Sequence, residues 1–364
     1  MKPSLTFEFT STLFRVPGPG GWVFRRVRLL PFVAALSLWA AEDASAQDAT
    51  AHVAAAQVDG WTIVHPEGDS GCAFGTPFRF FHREGADPSR LLVWFQGGGA
   101  CWNWVSCSGM FDTSVDDDEL AGYGGIFDFE HPDNPFREYT VVFVPYCTGD
   151  VHLGDTIVRY GDESWDTTPV QHRGANNVAA VLDWMRVNVP APERLVVSGA
   201  SAGSYGALFH APALARLFPD ARLVFIGDSG VPLLHDYPGI LAGWGADPDL
   251  TLEAAHERMA RLRPNATLAQ ITTDDDAIQK AFYIFSGSGD WRGATLGLLA
   301  GLEASVPRFH AFVVTGEDHG LMRVDAFHGY EADGVRLRDW IDDLVNGRPV
   351  ESRYCDGCVA ADGP

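Results

Sequence analysis

Runs of consecutive apolar residues alternate with stretches of helical spacing along the chain from residue 61 onward. Such runs are typical of strands covered on both faces, and alternation with helices indicates parallel strands joined by helical crossovers. The pattern predicts an α/β fold with a mostly parallel central sheet and helices on both faces. The predicted strands lie at residues 91–99, 139–147, 194–201, 221–230, 266–273 and 310–320. The predicted helices lie at residues 175–189, 202–218, 294–306 and 334–347.

Residues with useful chemistry or backbone freedom follow several of these strand-like runs. In open parallel sheets the carboxyl ends of the strands lie along one edge, where ligands bind. We therefore expect these residues to lie close together in the fold and to form a site. They are Gly97, Asp150, Ser201, Asp228, Asp276 and His319.

Residues 199–203, GASAG, fit the pattern G-x-S-x-G, and Gly206 follows. In this pattern a serine sits on a sharp turn between a strand and a helix, with its hydroxyl group exposed. The alternative is an ordinary loop rich in glycine and serine. A strand-like run before the motif and a helix-like run after it favour the first interpretation, so we predict that Ser201 is a nucleophile.

A serine hydroxyl group needs a histidine to accept its proton and a carboxylate to orient that histidine. In sheets of this type the acid and then the histidine follow the serine along the chain. His319 comes directly after the last strong strand-like run, whereas His310 begins that run and His328 lies in a less regular segment. His256 lies in a polar helix-like stretch. The order favours His319 as the base.

The spacing of the carboxylates leaves the acid open. One candidate, Asp290, follows the apolar residues 282–285 in the usual strand-turn-aspartate arrangement. A cluster after the strand-like run at 266–273 is equally eligible, and two further candidates follow other strands. These alternatives are Asp274, Asp275, Asp276, Asp228 and Asp318.

Negative charge develops on the carbonyl oxygen during attack and must be met by preorganised donors. The backbone N–H of Ala202 is one such donor, because it follows the serine directly. Residues 95–102, FQGGGACW, resemble the glycine loops that supply the second donor in esterases. A phosphate-binding loop would need Lys-Ser/Thr after the glycines, and Ala100 and Cys101 stand there instead.

Three arginines precede an apolar run at residues 29–41, and residues 44–46, ASA, match a signal-peptidase site. The apolar run is short for a membrane anchor. We therefore predict a signal peptide and a secreted or periplasmic protein. Residues 1–46 are assigned to the N-terminal extension and signal peptide, and residues 47–364 to a single domain.

The chain has six cysteines, all beyond the predicted signal peptide, and an even number suggests three disulfides in an oxidising compartment. Spacing favours Cys101–Cys107 and Cys355–Cys358 as local pairs, which leaves Cys72 with Cys147, although sequence alone does not determine connectivity. A zinc site at Cys355-x-x-Cys358 would need a second ligand pair, and none lies close by in sequence.

The formal net charge of the chain is −22. Such a surface repels nucleic acids and anionic membranes at long range. We expect no nucleic-acid partner and no stable membrane insertion after signal cleavage. The same charge disfavours the capture of a polyanionic polysaccharide.

Five motifs in this order resemble the pectin acetylesterase family, over about residues 60–330. The motifs are FQGGGACW (95–102), PYCTGDVHLGD (145–155), HRG (172–174), GASAGSYG (199–206) and GDSG (227–230). The resemblance implies an α/β-hydrolase-like fold and hydrolysis of carboxylic esters without a metal or another cofactor.

The resemblance also implies roles for individual residues. The acid of the family opens a D-x-x-Q stretch, which Asp276 and Gln279 match. The implied triad is Ser201 as nucleophile, Asp276 as acid and His319 as base. The implied oxyanion-hole amides are those of Gly98, Gly99 and Ala202.

One position departs from the family, because Ala100 stands where an aromatic residue commonly precedes the cysteine, which bears on the acyl group accepted. The DVHLGD stretch admits a metal site at Asp150, His152 and Asp155, but a hydrogen-bonded turn beside the pocket is the favoured interpretation. We predict a serine esterase that cleaves acetyl or short acyl esters, with a small ester or an acetylated carbohydrate as substrate. The alternatives are a lipid or peptide acyl-ester deacylase and a non-catalytic binding relative.

Overall fold

The structure is a computed structural model, and it describes residues 55–58, 60–161, 168–231, 234 and 236–358. The predicted signal peptide and the predicted domain boundary at residue 46 lie outside the described residues. No helix within the described part is long and apolar enough to cross a membrane.

Within these residues the chain forms strands and helices in alternation. The strands are β1 Ala55–Val58, β2 Trp61–Val64, β3 Phe80–Arg83, β4 Asp87–Phe95, β5 Tyr139–Val144, β6 Thr156–Val158, β7 Val170–His172, β8 Arg194–Ala200, β9 Arg222–Asp228, β10 Thr267–Thr273, β11 Phe309–Val314, β12 Glu331–Ala332, β13 Val335–Arg336 and β14 Arg353–Tyr354. The helices are α1 Trp104–Cys107, α2 Gly174–Asn188, α3 Ala202–Leu217, α4 Tyr237–Gly243, α5 Leu252–Leu262, α6 Ala277–Phe285, α7 Trp291–Ser305 and α8 Leu337–Asn346.

One ten-stranded sheet organises the molecule, in the order β1-β2-β3-β5-β4-β8-β9-β10-β11-β14. The seven strands from β5 to β14 in that order pair in parallel, and β1, β2 and β3 add an antiparallel edge. Every residue of β5 and β10 is buried. Since successive side chains point to opposite faces, both faces of the sheet are covered. The predicted α/β class with a mostly parallel sheet is confirmed.

All six predicted strands and all four predicted helices are present, as is the polar helix around His256, which is α5. Five of the six strands end between one and six residues before the predicted ends. The apolar residues 282–285 were expected to form a strand before Asp290. That expectation is wrong, since they belong to α6 and Asp290 begins α7 as its N-cap.

Three disulfides join the six cysteines in the predicted pairs: Cys72–Cys147, Cys101–Cys107 and Cys355–Cys358. The first pair closes a loop of 75 residues in sequence separation and ties the segment before β3 to the loop after β5. The second fixes α1 beside the glycine loop. The third pair occupies the C-x-x-C motif that was considered as a zinc site.

Candidate active site

Ser201 lies on a sharp turn between β8 and α3, with φ 57° and ψ −126°. A positive φ is unfavourable for a residue with a side chain, and it persists only where the surroundings impose it. Here the Ser201 N–H donates to the Asp228 carbonyl oxygen at 2.8 Å, which attaches the turn to the end of β9. The predicted strand-turn-helix context of the motif is present.

Glycines surround this turn because the backbones of β4 and the turn lie in contact. A Cβ atom on Gly199 or Gly203 would collide with the Phe95 carbonyl oxygen at the end of β4. A Cβ atom on Gly97 would lie 2.8 Å from the Cβ atom of Ser201. The glycine loop and the serine can therefore approach each other only without side chains at these positions.

Backbone pairing holds the glycine loop in place. The Asp112 N–H donates to the Gly98 carbonyl oxygen at 2.9 Å, and the Ala100 N–H donates to the Met110 carbonyl oxygen at 3.2 Å. Gly99 has φ +79°, and a Cβ atom there would collide with the Met110 carbonyl group. Gly98 and Gly99 both line a cavity with Ser201.

Asp276 and His319 lie in direct contact. The His319 Nδ1 atom is 2.8 Å from Asp276 Oδ2 and 3.0 Å from Oδ1. The carboxylate is fully buried and also caps α6, accepting from the N–H groups of Ile278 at 3.0 Å and Gln279 at 2.9 Å. A carboxylate on Nδ1 leaves the His319 Nε2 atom free to accept a proton, because the carboxylate selects the tautomer protonated at Nδ1.

The Gln279 side chain orients this carboxylate. Its Nε2 group donates to Asp276 Oδ2 at 2.9 Å and to Thr272 Oγ1 at 3.1 Å, while its Oε1 atom accepts from the Val231 N–H at 2.7 Å. Donors and acceptors of one amide are thus all engaged by neighbours. This accounts for a glutamine three residues after the aspartate.

Asp228 connects the serine turn to the loop that carries His319. Its buried carboxylate accepts from the N–H groups of Leu321 at 3.0 Å and Met322 at 2.8 Å, while its carbonyl oxygen holds Ser201. The Ser229 hydroxyl group accepts from the Gly320 N–H at 3.0 Å. Burial raises the pKa of Asp228, against the lowering effect of the two backbone donors. Sequence reasoning treated Asp228 only as an alternative acid.

The other candidate acids have different partners. Asp290 caps α7 by accepting from the Gly293 N–H at 2.9 Å, and Asp318 accepts from the Tyr330 hydroxyl group at 2.8 Å. Asp274 pairs with Arg292, and Asp275 with Lys280. Among the described residues the structure brings Asp276 alone to the His319 ring.

The DVHLGD stretch forms a buried turn around Asp150. Both oxygens of this carboxylate are engaged, by the Thr148 hydroxyl group at 2.6 Å and by three backbone N–H groups, including that of Gly174 at 2.8 Å. The His152 Nε2 group donates to the Gln96 carbonyl oxygen at 2.8 Å, and burial lowers the pKa of His152 to about 3. This arrangement fits the hydrogen-bonded turn and attaches it to the glycine loop. Asp155 takes part through its backbone, whose N–H donates to the Trp244 carbonyl oxygen at 3.0 Å.

One cluster in the described part of the chain groups three metal-ligating side chains, Asp274, Cys355 and Cys358. The two cysteines are joined in a disulfide, so their sulfur atoms carry no thiolate that could bind a metal. None of the three residues lines either of the cavities at Ser201.

Two cavities meet at Ser201 and His319, and they share Gly99 and Ile278. The first is small, about 50 Å³ of space for the centres of water molecules. Its walls are mainly apolar and aromatic: Ala100, Val151, Ala202, Tyr205, Leu234, Tyr237 and Phe282. The second is about 360 Å³, and its walls include polar side chains: Gln96, Asp112, Tyr123 and Arg323.

Comparison with known proteins finds relatives that are named as esterases. The mouse (Mus musculus) palmitoleoyl-protein carboxylesterase NOTUM is 24% identical over 172 residues, which are 44% of this chain and 33% of that protein. Pectin acetylesterase 11 of Arabidopsis thaliana is 27% identical over 161 residues, 42% of this chain and 40% of that protein. The aligned part therefore spans less than half of either relative.

Among solved structures, the Wnt deacylase Notum from Drosophila has a similar fold, with a TM-score of 0.57. The similarity covers 80% of this chain and 95% of that chain at 18% sequence identity. The sequence model of the pectinacetylesterase family matches residues 53–236, half of the chain, including the glycine loop and the serine turn. The chain therefore belongs to the pectinacetylesterase family.

Proposed function

We propose that this protein is a serine carboxylesterase that hydrolyses acetyl or other short acyl esters, with Ser201, His319 and Asp276 as its catalytic triad. The observation that carries the proposal is the contact between the His319 Nδ1 atom and the buried Asp276 carboxylate, in a cavity shared with Ser201. The relatives named above are a carboxylesterase and an acetylesterase by name, which supports the same class of reaction.

In the first half of the reaction the Ser201 oxygen attacks the ester carbonyl carbon while His319 Nε2 accepts the hydroxyl proton. Asp276 stabilises the imidazolium that forms, through its contacts at Nδ1. Collapse of the tetrahedral intermediate breaks the bond to the alcohol, which leaves with the proton from His319. Water then attacks the acyl-serine with His319 as base again, and the acid is released.

The oxyanion would be met by backbone amides. Ala202 is the first residue of α3, and the first N–H groups of a helix have no partner within it. The N–H groups of Gly98 and Gly99 belong to the loop that Asp112 and Met110 hold against the serine turn. Removal of one such donor typically costs about 10²–10³ in kcat.

The size of the apolar cavity supports a short acyl group. A water-sized group needs about 10–15 Å³ of this kind of space, so a cavity of about 50 Å³ holds roughly three to five heavy atoms. An acetyl group has that size, whereas a long-chain fatty acyl group needs several times the space. The lipid or peptide deacylase therefore remains a second candidate only through the names of the relatives.

Labelling with a fluorophosphonate tests the proposal. We expect mass spectrometry to find the adduct on Ser201 in folded protein and none in Ser201→Ala, which should lose at least about 10⁴-fold in kcat on 4-nitrophenyl acetate. A panel of nitrophenyl esters should show kcat/KM falling as the acyl chain lengthens beyond about four carbons, the limit that the cavity volume sets. Folded protein without the label would favour a non-catalytic role. This alternative is a specific one, because a zebrafish (Danio rerio) relative is named as an inactive carboxylesterase.

We also propose that the protein is exported. The predicted signal peptide and the three disulfides support an oxidising compartment. N-terminal sequencing of protein from the culture medium or periplasm should find a mature chain that begins near Gln47. A chain that stays in the cytoplasm with its first residues intact would contradict this proposal.

A further inference from the structure

The larger cavity gives the ester a second direction in which to extend from Ser201. It shares Gly99, Ser201, Ile278 and His319 with the apolar cavity, so a carbonyl group bound at the serine has one substituent on each side. A short acyl group fits the small apolar cavity in size and polarity. The alcohol group then faces the cavity of about 360 Å³.

Arg323 supplies a donor to this second cavity. It is the last residue of a short 3-10 helix, Leu321–Arg323, which begins two residues after His319. Its guanidinium group lies 5.8 Å from the centroid of the Tyr123 ring, and with the described residues it makes no ion pair. The N–H groups of Arg323 are therefore available to a ligand.

Asp112 supplies an acceptor. Its backbone is paired with Gly98, and its carboxylate lies so close to that glycine that a Cβ atom there would collide with it. Burial and the nearby Glu119 carboxylate raise the pKa of Asp112 to about 6, against the lowering effect of Arg323. Glu119 itself accepts from the Gln96 side-chain amide at 2.6 Å.

We propose that this cavity is the alcohol-side subsite and that it selects a neutral, polyhydroxylated alcohol over an anionic one. A hydroxyl group both donates and accepts, so it can bond to a carboxylate and a guanidinium group at once. The cavity is lined by the Asp112 carboxylate and the Arg323 guanidinium group, and the Glu119 carboxylate adds a second negative charge behind Gln96. The whole chain carries −22. Both charges oppose an anionic alcohol such as a uronate.

This inference rests on the proposed esterase function, and the test separates the two. The substrates are a monoacetylated methyl galactoside and the matching methyl galacturonoside, which differ only in a hydroxymethyl group against a carboxylate. We expect kcat/KM to favour the galactoside by about tenfold or more at low salt, the effect of one unfavourable charge contact in a surface cleft. Hydrolysis of 4-nitrophenyl acetate reports separately on the esterase activity.

Variants locate the effect. Asp112→Asn keeps the shape and removes the charge, so the preference for the galactoside should fall by about three- to tenfold. The matched control Asp249→Asn changes an exposed carboxylate in the loop before α5 and should leave the preference unchanged. A preference for the galacturonoside that Arg323→Gln abolishes would overturn the inference and make the cavity an anion site.

A binding measurement keeps the inference testable without turnover. Calorimetry with Ser201→Ala should show the acetylated galactoside binding more tightly than the galacturonoside. Equal affinities would refute the inference even if 4-nitrophenyl acetate is hydrolysed normally by the wild-type protein. If the wild-type protein does not hydrolyse 4-nitrophenyl acetate while Ser201→Ala still binds the galactoside more tightly, the esterase proposal is refuted instead.

Discussion

Asp276→Asn and Asp290→Asn make the same chemical change at the same kind of backbone position. Asp276 caps α6 and Asp290 caps α7, and each accepts from backbone N–H groups of the first helical turn. Asparagine caps helices about as well as aspartate, so the capping contribution is matched. The two sites differ in that Asp276 is buried and contacts the His319 ring and the Gln279 side chain, whereas Asp290 is exposed.

The expected effect of Asp276→Asn follows from its four contacts. A neutral amide cannot stabilise the imidazolium. When the amide oxygen stays on the backbone N–H groups of α6, the NH₂ group takes the place of Oδ2 and faces two donors, His319 Nδ1–H and the Gln279 Nε2 group. For a triad of this kind the same change lowers kcat by about 10⁴, or roughly 5 kcal/mol of transition-state stabilisation. A buried donor left without an acceptor costs a further 1–3 kcal/mol or so in folding stability.

The assay is the initial rate on 4-nitrophenyl acetate at pH 8, well below the melting temperature of each variant. Circular dichroism establishes that both variants are folded, and fluorophosphonate titration counts the competent sites. We expect Asp290→Asn to remain within about twofold of wild type, in line with an exposed cap that asparagine replaces. A loss of less than tenfold in Asp276→Asn, or an equal loss in both variants, would refute the assignment of the acid.

Two further outcomes follow from buried groups near the site. Asp228→Asn should lower kcat by about 10- to 100-fold with little change in KM, since the loop after His319 loses one of its two backbone contacts. An unchanged kcat in the folded variant would show that the contacts of Asp228 with Leu321 and Met322 do not position His319. Burial lowers the pKa of His152 to about 3 and of His256 to about 4, so their contribution to stability is present above pH 6.5 and lost as pH falls below it. Urea unfolding from pH 7 to pH 5 should show the free energy of unfolding falling by up to about 1.4 kcal/mol per pH unit for each such histidine. His256→Asn keeps a donor for the Leu252 carbonyl oxygen and should make this fall with pH less steep.

The parallel part of the sheet could be predicted because its strands are buried on both faces. Apolar and β-branched residues dominate β5, and β10 combines apolar residues with threonines, so both compositions favour strands at that length. The antiparallel edge of β1, β2 and β3 was not predicted, since four residues give too short a pattern. Residues 282–285 were assigned to a strand because a short apolar run does not distinguish a strand from one side of a helix.

The residues of the candidate site also differ in how far they could be predicted from the sequence. Ser201 lies in a local motif, so the turn could be predicted from five neighbouring residues. Asp276 could be selected only through the resemblance, because its contact with His319 joins residues 43 positions apart. Asp112 and Arg323 were not predicted, since their place beside Ser201 depends on pairing with Gly98 and on the turn after His319. Aspartate and arginine in loops carry no periodic signal.

Helix α6 has a consequence for how the protein responds to heat. Of its nine residues only Gln279 is buried, although the proposed acid lies at its first turn. Short elements with little buried surface open locally at free energies well below that of global unfolding. Fraying of α6 would release the Asp276 carboxylate into water and leave His319 without its partner, while the ten-stranded sheet stays folded. The temperature at which activity disappears should therefore lie below the melting temperature of the sheet, and cooling should restore activity from this first step.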